Sequence, residues 1–476
     1  MQKIKNYKYI VPLSICLALA SCAPALAPLV KTKAVPESFD KSTDTTNIAG
    51  TPWRTYFKDP NLINLIEIAL KNNQELQITL QEIEIAKNDI RVRKGALLPK
   101  VGIGAGAGVE KVGRYTSQGA GDSSTEIRPG LEMPEPLGDL KIAAYANWEV
   151  DIWKKLRNSK KAAVSRYLST FEGKNFVITN LIAEVADSYY ELLALDSQLD
   201  IVTQNIALQS TALEIVKIQK EAARSTELAV QKFQAEVMAS KSMEFEILQN
   251  IKETENKINF LLGQYPQEIR RDKTNFTSRL PSVIHAGIPS QLLANRPDIK
   301  KAEMELEGAK LDVKVARAEF YPSLDIRAMV GVNAFKASYL FTFPESLLYS
   351  LAGDFAAPLI NRNAIKAEYS AANARQIQAL YNYERTILKA YLEVSSQLSK
   401  INNLEKKYQL KAQQVDALNR SISVAGDLFK SARVDYFEVL MTQRDALESK
   451  LELIETKKEQ LNAVVHIYKD LGGGWK

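Results

Sequence analysis

The sequence predicts an α+β membrane protein in which very long helices alternate with a few short strands. Three observations lead to this fold class. A helical stretch twice ends at a proline and passes directly into a strand, at Pro99 and at Pro322. Apolar residues recur at every seventh position over long segments, and the second half of the chain repeats the first. Because proline removes a backbone donor and clashes with the preceding turn, a helix should end before each of these prolines.

The N-terminal residues have the pattern of a bacterial secretion signal. Three lysines and no acid precede an apolar run at residues 10–20, which is too short to span a bilayer but is typical of a signal peptide. The run ends in "LASC", where small residues before Cys22 resemble a lipobox. We therefore predict a lipoprotein signal peptide at residues 1–21, lipidation of Cys22 and a lipidated linker at residues 22–60. An ordinary signal peptide with a chance cysteine is the alternative.

Composition excludes several classes of function. The formal charge of +6 falls to +3 without the three signal lysines, and the basic residues form no block along the chain, so nucleic acid is not expected as a partner. Cys16 leaves with the signal, which rules out a disulfide within the mature chain. The two histidines, His285 and His466, lie about 180 residues apart and are expected to be ordinary surface or core residues. We predict no enzyme activity, no metal site and no cofactor.

Two long segments carry the seven-residue repeat of a coiled coil. Residues 169–222 and 364–426 are helical in pattern and contain no proline, and the repeat returns after residue 440. The apolar heptad positions are Ile178, Val185, Leu192, Leu199, Ile206 and Leu213 in the first segment and Leu380, Ile387, Val394, Ile401, Tyr408, Val415 and Ile422 in the second. Helices of about 55 to 60 residues are roughly 80 to 90 Å long. We predict a rod or a tube of such helices, with turns at residues 220–230 and 430–440.

Four segments of about ten residues alternate in the manner of β-strands. They lie at residues 101–109, 140–150, 324–330 and 349–357, with apolar side chains on one face and polar or small ones on the other. This length and pattern are typical of a transmembrane β-barrel. Because four strands cannot close a barrel, we predict that three copies of the chain supply twelve strands. A pair of hairpins in a soluble α+β domain is the alternative.

The two halves of the chain align, which predicts an internal duplication. Pro99 and Pro322 are 223 residues apart, whereas Gly263 and Gly472, which are expected to end two helices, are 209 apart. The difference assigns about 14 extra residues to the first half, and the Gly/Pro/Ser-rich segment 111–139 is their expected place. The predicted organisation is a first repeat at residues 61–265, an equatorial linker at residues 266–290 and a second repeat at residues 291–476.

Several motifs resemble a known family. They are "LLANRPDIKKAEMELEGAKLDVKVARAEFYPSLDI", "WEVDIWKKLRNSKKAA", "APLINRNAIKAEYSAANAR" and "HIYKDLGGGW". Together with the lipobox they are similar to the TolC-like outer-membrane efflux proteins, and specifically to their lipoprotein branch. The resemblance implies a homotrimer with a twelve-stranded outer-membrane barrel, a periplasmic helical coiled-coil tunnel and a closed periplasmic tip. Its implied partners are outer-membrane lipid, a periplasmic adaptor protein and an inner-membrane pump of the resistance-nodulation-division type.

The resemblance also implies positions for a periplasmic gate. The family has an apolar constriction and an acidic ring at its tip, which places Phe437 at the constriction and Glu438 at an acidic position. This sequence departs from the family pattern with Met441 in place of an aspartate and Ala432 in place of a glycine. Likewise, Lys154 replaces a usual glycine after "DIW" and Asn363 replaces one in "NRNA", where asparagine can still adopt the left-handed conformation.

The function implied by the resemblance is an exit duct. Such a protein is the outer-membrane channel of a tripartite efflux pump that exports small molecules such as drugs or toxic compounds. Two alternatives are the outer-membrane duct of a type I protein-secretion system and a structural coiled-coil lipoprotein. Genes for a neighbouring pump and adaptor would separate the two kinds of duct, and ion conductance would separate a duct from a structural rod.

Overall fold

The computed structural model describes residues 24, 34–39, 45–273, 276, 285–357, 362–431 and 433–476. The predicted signal peptide and its lipidation site, Cys22, lie outside the described residues, as does Ala432. Within the described ranges, no helix combines the length and the apolar character needed to cross a membrane.

Helices make up most of the described chain. In chain order they are α1 (Trp53–Tyr56), α2 (Pro60–Asn72), α3 (Gln74–Gly95), α4 (Ser117–Asp122), α5 (Lys155–Glu221), α6 (Glu227–Leu261), α7 (Ser290–Asn295), α8 (Pro297–Ala318), α9 (Asn363–Lys430) and α10 (Tyr436–Asp470). Two short 3₁₀ turns lie at Ile48–Gly50 and Ala337–Tyr339. Side chains define the helix starts, since the Thr226 side chain accepts a hydrogen bond from the backbone N–H of Ala229 and the Asp435 side chain accepts one from Tyr436.

The predicted long helices are confirmed. Helices α5 and α9 contain 67 and 68 residues, and each is followed by a 35-residue helix that begins after the predicted turn. The start of α5 was placed too late, at residue 169, whereas the helix begins at Lys155. The first helical turns of α5, residues 155–168, are rich in lysine and arginine and lack the apolar seven-residue repeat on which the prediction was based.

The four predicted strands are also confirmed. They are β1 (Lys100–Glu110), β4 (Leu137–Glu149), β5 (Ser323–Ala334) and β6 (Leu347–Ala356), and they form one antiparallel sheet in the order β1-β4-β5-β6. Helices α3 and α8 end four residues before Pro99 and Pro322, respectively, and the strands follow at once. The intervening loop of the first hairpin also holds α4 and the small antiparallel pair β2 (Glu126–Arg128) and β3 (Leu131–Glu132).

The loop lengths agree with the predicted duplication. The connection from β1 to β4 spans 26 residues, 111–136, and that from β5 to β6 spans 12, 335–346, which is the expected difference of 14. The helix ends agree as well, because Gly263 and Gly472 have φ of 66° and 90°. This left-handed conformation is the one that glycine favours after a helix.

The described chain forms two compact units. The first comprises residues 84–168 and 304–380, and it holds the four-stranded sheet and a small apolar core around Val313, Phe320 and Tyr369. The second comprises the described residues between 34 and 83 together with residues 169–303 and 381–476. Its largest core packs α1 and α2 against parts of α5, α6 and α10, and Tyr189 is fully buried there, with its hydroxyl donating to Asp59 Oδ2 at 2.7 Å.

Candidate functional site

One face of the four-stranded sheet is apolar. Directly opposite residues in the antiparallel register share a face, so Val101, Ala146, Ala328 and Leu351 form one row across the four strands. The other rows of this face contain only apolar, aromatic or glycine residues, and several large side chains at the two edge strands are exposed, among them Ile103, Val109, Tyr349 and Phe355. An exposed apolar surface of this extent requires an apolar partner.

The opposite face is mainly polar or small, as the alternating pattern predicted, with Met329 and Leu348 as exceptions. Glu149, Asp325 and Asp354 lie directly opposite one another on β4, β5 and β6. Arg327 Nε lies 3.4 Å from Asp354 Oδ2, so the acidic row carries a counter-charge. The glycines of β1 belong to this face, and a Cβ atom at Gly102 would come within 2.6 Å of the Tyr145 ring. These glycines therefore admit the side chains of the neighbouring strand.

Two tryptophans fix the helix-to-strand junctions at Pro99 and Pro322. The indole N–H of Trp148 donates to the backbone oxygen of Leu97 at 3.1 Å, just before Pro99. The indole N–H of Trp153 donates to the backbone oxygen of Pro322 itself at 2.7 Å, and its ring stacks on Tyr321 with centroids 4.7 Å apart. Both junctions are thus held by side chains at the end of β4, a role that the sequence pattern did not reveal.

Strand β4 continues into α5 through a tight turn. Asp151 Oδ1 accepts a hydrogen bond from the backbone N–H of Leu156 at 2.9 Å, and Oδ2 accepts from that of Arg157 at 3.0 Å. Lys154 has φ of 61°, a left-handed conformation that favours glycine, the residue that the resemblance implies at this position. The expectation that Asn363 could replace a left-handed glycine is wrong, because Asn363 is the first residue of α9 and is not among the described residues with positive φ.

The predicted gate residues lie at the start of α10. Phe437 and Glu438 are both exposed, and the backbone N–H of Glu438 donates to Asp435 O at 3.2 Å. The preceding helix ends with a hydrogen bond from Arg433 N to Leu428 O at 2.9 Å. Arg224 N makes the same bond to Gln219 O, at 2.8 Å, so the two tips share one helix-ending geometry.

Two family motifs that are far apart in sequence meet in the second unit. Arg296 of the "NRPD" motif donates through Nε and Nη2 to the Asp298 carboxylate, at 3.0 and 2.7 Å, and through Nη1 to the backbone oxygen of Asp470 at 2.9 Å. Nη2 also lies 2.8 Å from Glu393 Oε2. The indole N–H of Trp475 donates to Asn295 O at 3.1 Å. The contacts join the start of α8 to the C-terminal end of α10.

The environment of this contact changes the pKa of two groups. Burial raises the pKa of the Asp470 carboxyl and the charge of Glu393 adds to the rise, whereas Lys469 and Arg296 oppose it. Burial acts to lower the pKa of the Arg296 guanidinium, but its bonds to Asp298 and the charge of Glu393 outweigh this effect and the net pKa is raised. Arg296 is therefore charged at every physiological pH.

A second buried arginine lies at the start of the linker between the repeats. Arg271 donates to both Asp196 oxygens, at 2.5 and 3.1 Å, and to Glu255 Oε1 at 2.7 Å. All three side chains are more than nine-tenths buried. The cluster attaches the linker to α5 and α6, and because its members lie 75 and 16 residues apart, no local motif identified it.

Metal-binding geometry is not found in the described part of the chain, where no three His, Cys, Asp or Glu side chains are placed to hold an ion. His466 Nε2 lies 3.0 Å from Asp187 Oδ2, so this histidine is engaged in a contact with a single acid.

Comparisons with known proteins give the following relationships. The outer membrane efflux protein family matches the chain twice, at residues 65–264 and 288–473. The chain is 27% identical over 469 residues to the pyoverdine export outer membrane protein OpmQ of Pseudomonas aeruginosa, covering 98% of the chain and 96% of that protein. It is 26% identical to the cation efflux system protein CusC of Escherichia coli O6:H1, covering 98% and 99%. Its fold is similar to the open state of the Neisseria gonorrhoeae MtrE outer membrane channel, with a TM-score of 0.83, 21% identity and coverage of 96% and 99%.

Proposed function

The chain belongs to the outer membrane efflux protein family, and we propose that three copies of it form the exit duct of a tripartite efflux pump. The observation that carries this proposal is the four-stranded sheet, which has one apolar face, one polar face and two free edges. An apolar exterior and a polar interior are what a water-filled pore through a bilayer requires.

The trimer follows from the sheet edges and from an exposed helical seam. Within the described residues, strands β1 and β6 each pair on one side only, and three copies joined edge to edge give the twelve strands of a closed barrel. In the second unit, Tyr381, Leu388 and Leu392 of α9 are exposed at heptad spacing. A neighbouring copy of the chain is the partner that such a seam fits.

The partners and cargo follow from the family and the relatives. We propose a periplasmic adaptor and an inner-membrane pump of the resistance-nodulation-division type as the other two components. The names of two relatives refer to export of pyoverdine and of cations. We therefore propose that the cargo of this chain is a small molecule or an ion. Secretion of polypeptides through the channel would contradict the proposal.

Lipidation of Cys22 adds an anchor beside the barrel. A lipid chain contributes modest, reversible membrane affinity in comparison with a spanning segment. The Cys22→Ala variant should lose acylation, measured by mass spectrometry, and still place part of its trimer in the outer-membrane fraction. Complete loss of membrane association from this one change would contradict a membrane-spanning sheet.

Phe437 and Glu438 are the proposed gate. Three apolar rings near a threefold axis would obstruct the pore, and three carboxylates would favour cations. Phe437→Ala should raise the resting conductance, and Glu438→Gln should reduce cation selectivity without lowering trimer stability. The matched control is Leu228→Ala, since Leu228 is the equivalent of Phe437 at the other tip and is similarly exposed, at 60% against 54%.

Planar-bilayer recordings of the purified full chain test the duct directly. We expect discrete conductance steps, a molecular mass of three chains and export that restores tolerance to a toxic compound in cells lacking their own outer-membrane duct. A trimer without conductance would indicate a structural rod. Conductance that is unchanged by Phe437→Ala and Glu438→Gln would place the gate elsewhere while leaving the duct intact.

A further inference from the structure

We propose that the first repeat carries a docking surface for the headgroups of anionic phospholipids, formed by Lys94, Lys154, Lys160 and Lys161. This basic collar, as we name the four lysines, lies where α3 ends and α5 begins, next to the strands of the first hairpin. The inference rests on the proposed function, because it requires the sheet to lie in the outer membrane. It adds a lipid class and the residues that bind it.

The fold brings these residues together from two segments. Arg93 Nη1 donates to Ser159 Oγ at 3.4 Å, which holds the end of α3 beside the first turns of α5. Lys154 directly precedes the first residue of α5, and Lys160 and Lys161 lie in the second turn of that helix. Lys94, Lys154 and Lys161 are exposed, and Lys160 is half-buried. Three of the four lysines are close in sequence, at residues 154–161, and the fold adds Lys94 from the end of α3.

The collar lysines have no acid to neutralise them in the described part of the chain. Their neighbours do, since Lys155 Nζ lies 2.6 Å from Glu149 Oε1 and Arg157 Nε lies 2.9 Å from Asp151 Oδ2. No Asp or Glu oxygen of a described residue comes within 4 Å of a collar ammonium group. Glu149 and Asp151 are thus already paired with these two neighbours, and the four collar charges are available to an external anion.

The internal duplication shows that the charge is specific to the first repeat. Segments 91–100 and 149–161 contain nine basic and two acidic residues, whereas their equivalents 314–323 and 358–370 contain four basic and two acidic residues. At the offset of 209, Asn363, Tyr369 and Ser370 occupy the positions of Lys154, Lys160 and Lys161. The second repeat folds the same way without these lysines, so the fold itself does not need them.

An apolar strip beside the collar indicates a bilayer as the occupant. Leu98, Ile152 and Trp153 are exposed next to the strand ends, where the apolar face of the sheet stops. Tryptophan is enriched at the boundary between membrane and water, and lysines near an anionic leaflet are attracted to its phosphates. The apolar strip would face the acyl chains of one leaflet, and the basic collar beside it would face the headgroups.

The experiment measures lipid preference in vesicles that contain the full chain. The protein is reconstituted in phosphatidylcholine with a minority of dibrominated phosphatidylglycerol or, in parallel, of dibrominated phosphatidylcholine, and tryptophan quenching is recorded. The test variant combines Lys154→Gln, Lys160→Gln and Lys161→Gln. The control combines Lys232→Gln, Lys241→Gln and Lys406→Gln, which removes the same charge from exposed lysines of the second unit.

We expect brominated phosphatidylglycerol to quench more strongly than brominated phosphatidylcholine in the parent and in the control. A lysine close to an anionic surface contributes a roughly fivefold gain in affinity. The preference of the test variant for phosphatidylglycerol should therefore be at least fivefold weaker than that of the parent. High salt should abolish the preference in all three proteins. No preference in the parent, a preference that survives in the test variant, or an equal loss in the control would each overturn the proposal.

Conductance of the same vesicles separates this inference from the proposed function. Vesicles that conduct but show no lipid preference contradict the docking surface alone. Vesicles with trimeric protein that do not conduct contradict the duct.

Discussion

Replacing Arg296 by methionine should release the C-terminal end of α10. The guanidinium makes two hydrogen bonds to Asp298, one to the backbone oxygen of Asp470 and an ion pair with Glu393. Methionine has a similar length and no donor, so the change removes all four contacts and creates little empty space. The carboxylates of Asp298 and Glu393 and the backbone oxygen of Asp470 then lose the buried cation that they share.

We expect Arg296→Met to lower the free energy of local opening at the C-terminal end of α10 by about 3 kcal/mol. Breaking a buried charge pair by removing one partner costs roughly 3 to 5 kcal/mol, and the lower limit applies because the side chains of Asp298 and Glu393 retain 18% and 31% of their exposure. Since a factor of ten corresponds to about 1.4 kcal/mol, local opening should become about 100-fold more frequent.

Amide hydrogen exchange measures this opening at the affected residues. The backbone N–H groups of Leu471, Gly472 and Gly473 donate to Ile467 O, Lys469 O and Tyr468 O, and their exchange should accelerate about 100-fold in the variant. The control is Lys389→Met, which removes the exposed second cation of Glu393, 3.6 Å away, and should change exchange by less than about threefold. Equal exchange in Arg296→Met and in the parent would refute the assignment of Arg296 as the C-terminal anchor.

Three further changes test other parts of the structure. Arg271→Met should lower the free energy of unfolding, measured with denaturant, by roughly 3 to 5 kcal/mol. Adding Asp196→Asn and Glu255→Gln to this variant removes the two unpaired buried charges and should restore most of the lost stability. The pKa of Asp470 in the folded protein is raised above its ordinary 3.8, so the parent protein loses stability as pH rises from 3.8 through the folded pKa. The Asp470→Asn variant should therefore be more stable than the parent at pH 7 and as stable as the parent below pH 3.8. Ala223→Gly should stabilise by roughly 0.5 to 1 kcal/mol, since Ala223 has φ of 58°, whereas Ala212→Gly inside α5 should destabilise by a similar amount in thermal unfolding.

The parts of the fold that could be predicted are those set by local patterns. Pro99 and Pro322 mark the ends of helices because a proline acts on its own turn, and the alternation of β1 and β5 needs only a few residues to be visible. The heptads predicted α5 and α9 for the same reason. The first turns of α5 were not predicted because they lack the apolar heptad, and the start of the helix is marked by Asp151, which accepts hydrogen bonds from two backbone N–H groups there.

The parts that could not be predicted depend on contacts between distant residues. The loop of the first hairpin is rich in glycine, proline and serine, so its short helix and strand pair leave no periodic signal. Arg271 and Asp196 lie 75 residues apart, and each has many possible partners in the sequence. The indole bonds of Trp148 and Trp153 to backbone oxygens likewise have no sequence signature, although a tryptophan near a membrane boundary is a reason to look for one.

The duplication separates residues that serve the fold from residues that serve the function. Both repeats share the backbone devices, namely the left-handed helix ends at Gly263 and Gly472 and the same closing bond at both tips. They differ at the tip surface, where Ala229 is fully buried while its equivalent, Glu438, is exposed. Burial explains the alanine, since a buried site does not accept an unpaired charge, but the fold does not require a glutamate at the exposed site, and we attribute Glu438 to a role of the second tip in the trimer. Exchanging Leu228 and Phe437, which are exposed at equivalent positions of the two tips, should change conduction while leaving the stability of each hairpin nearly constant.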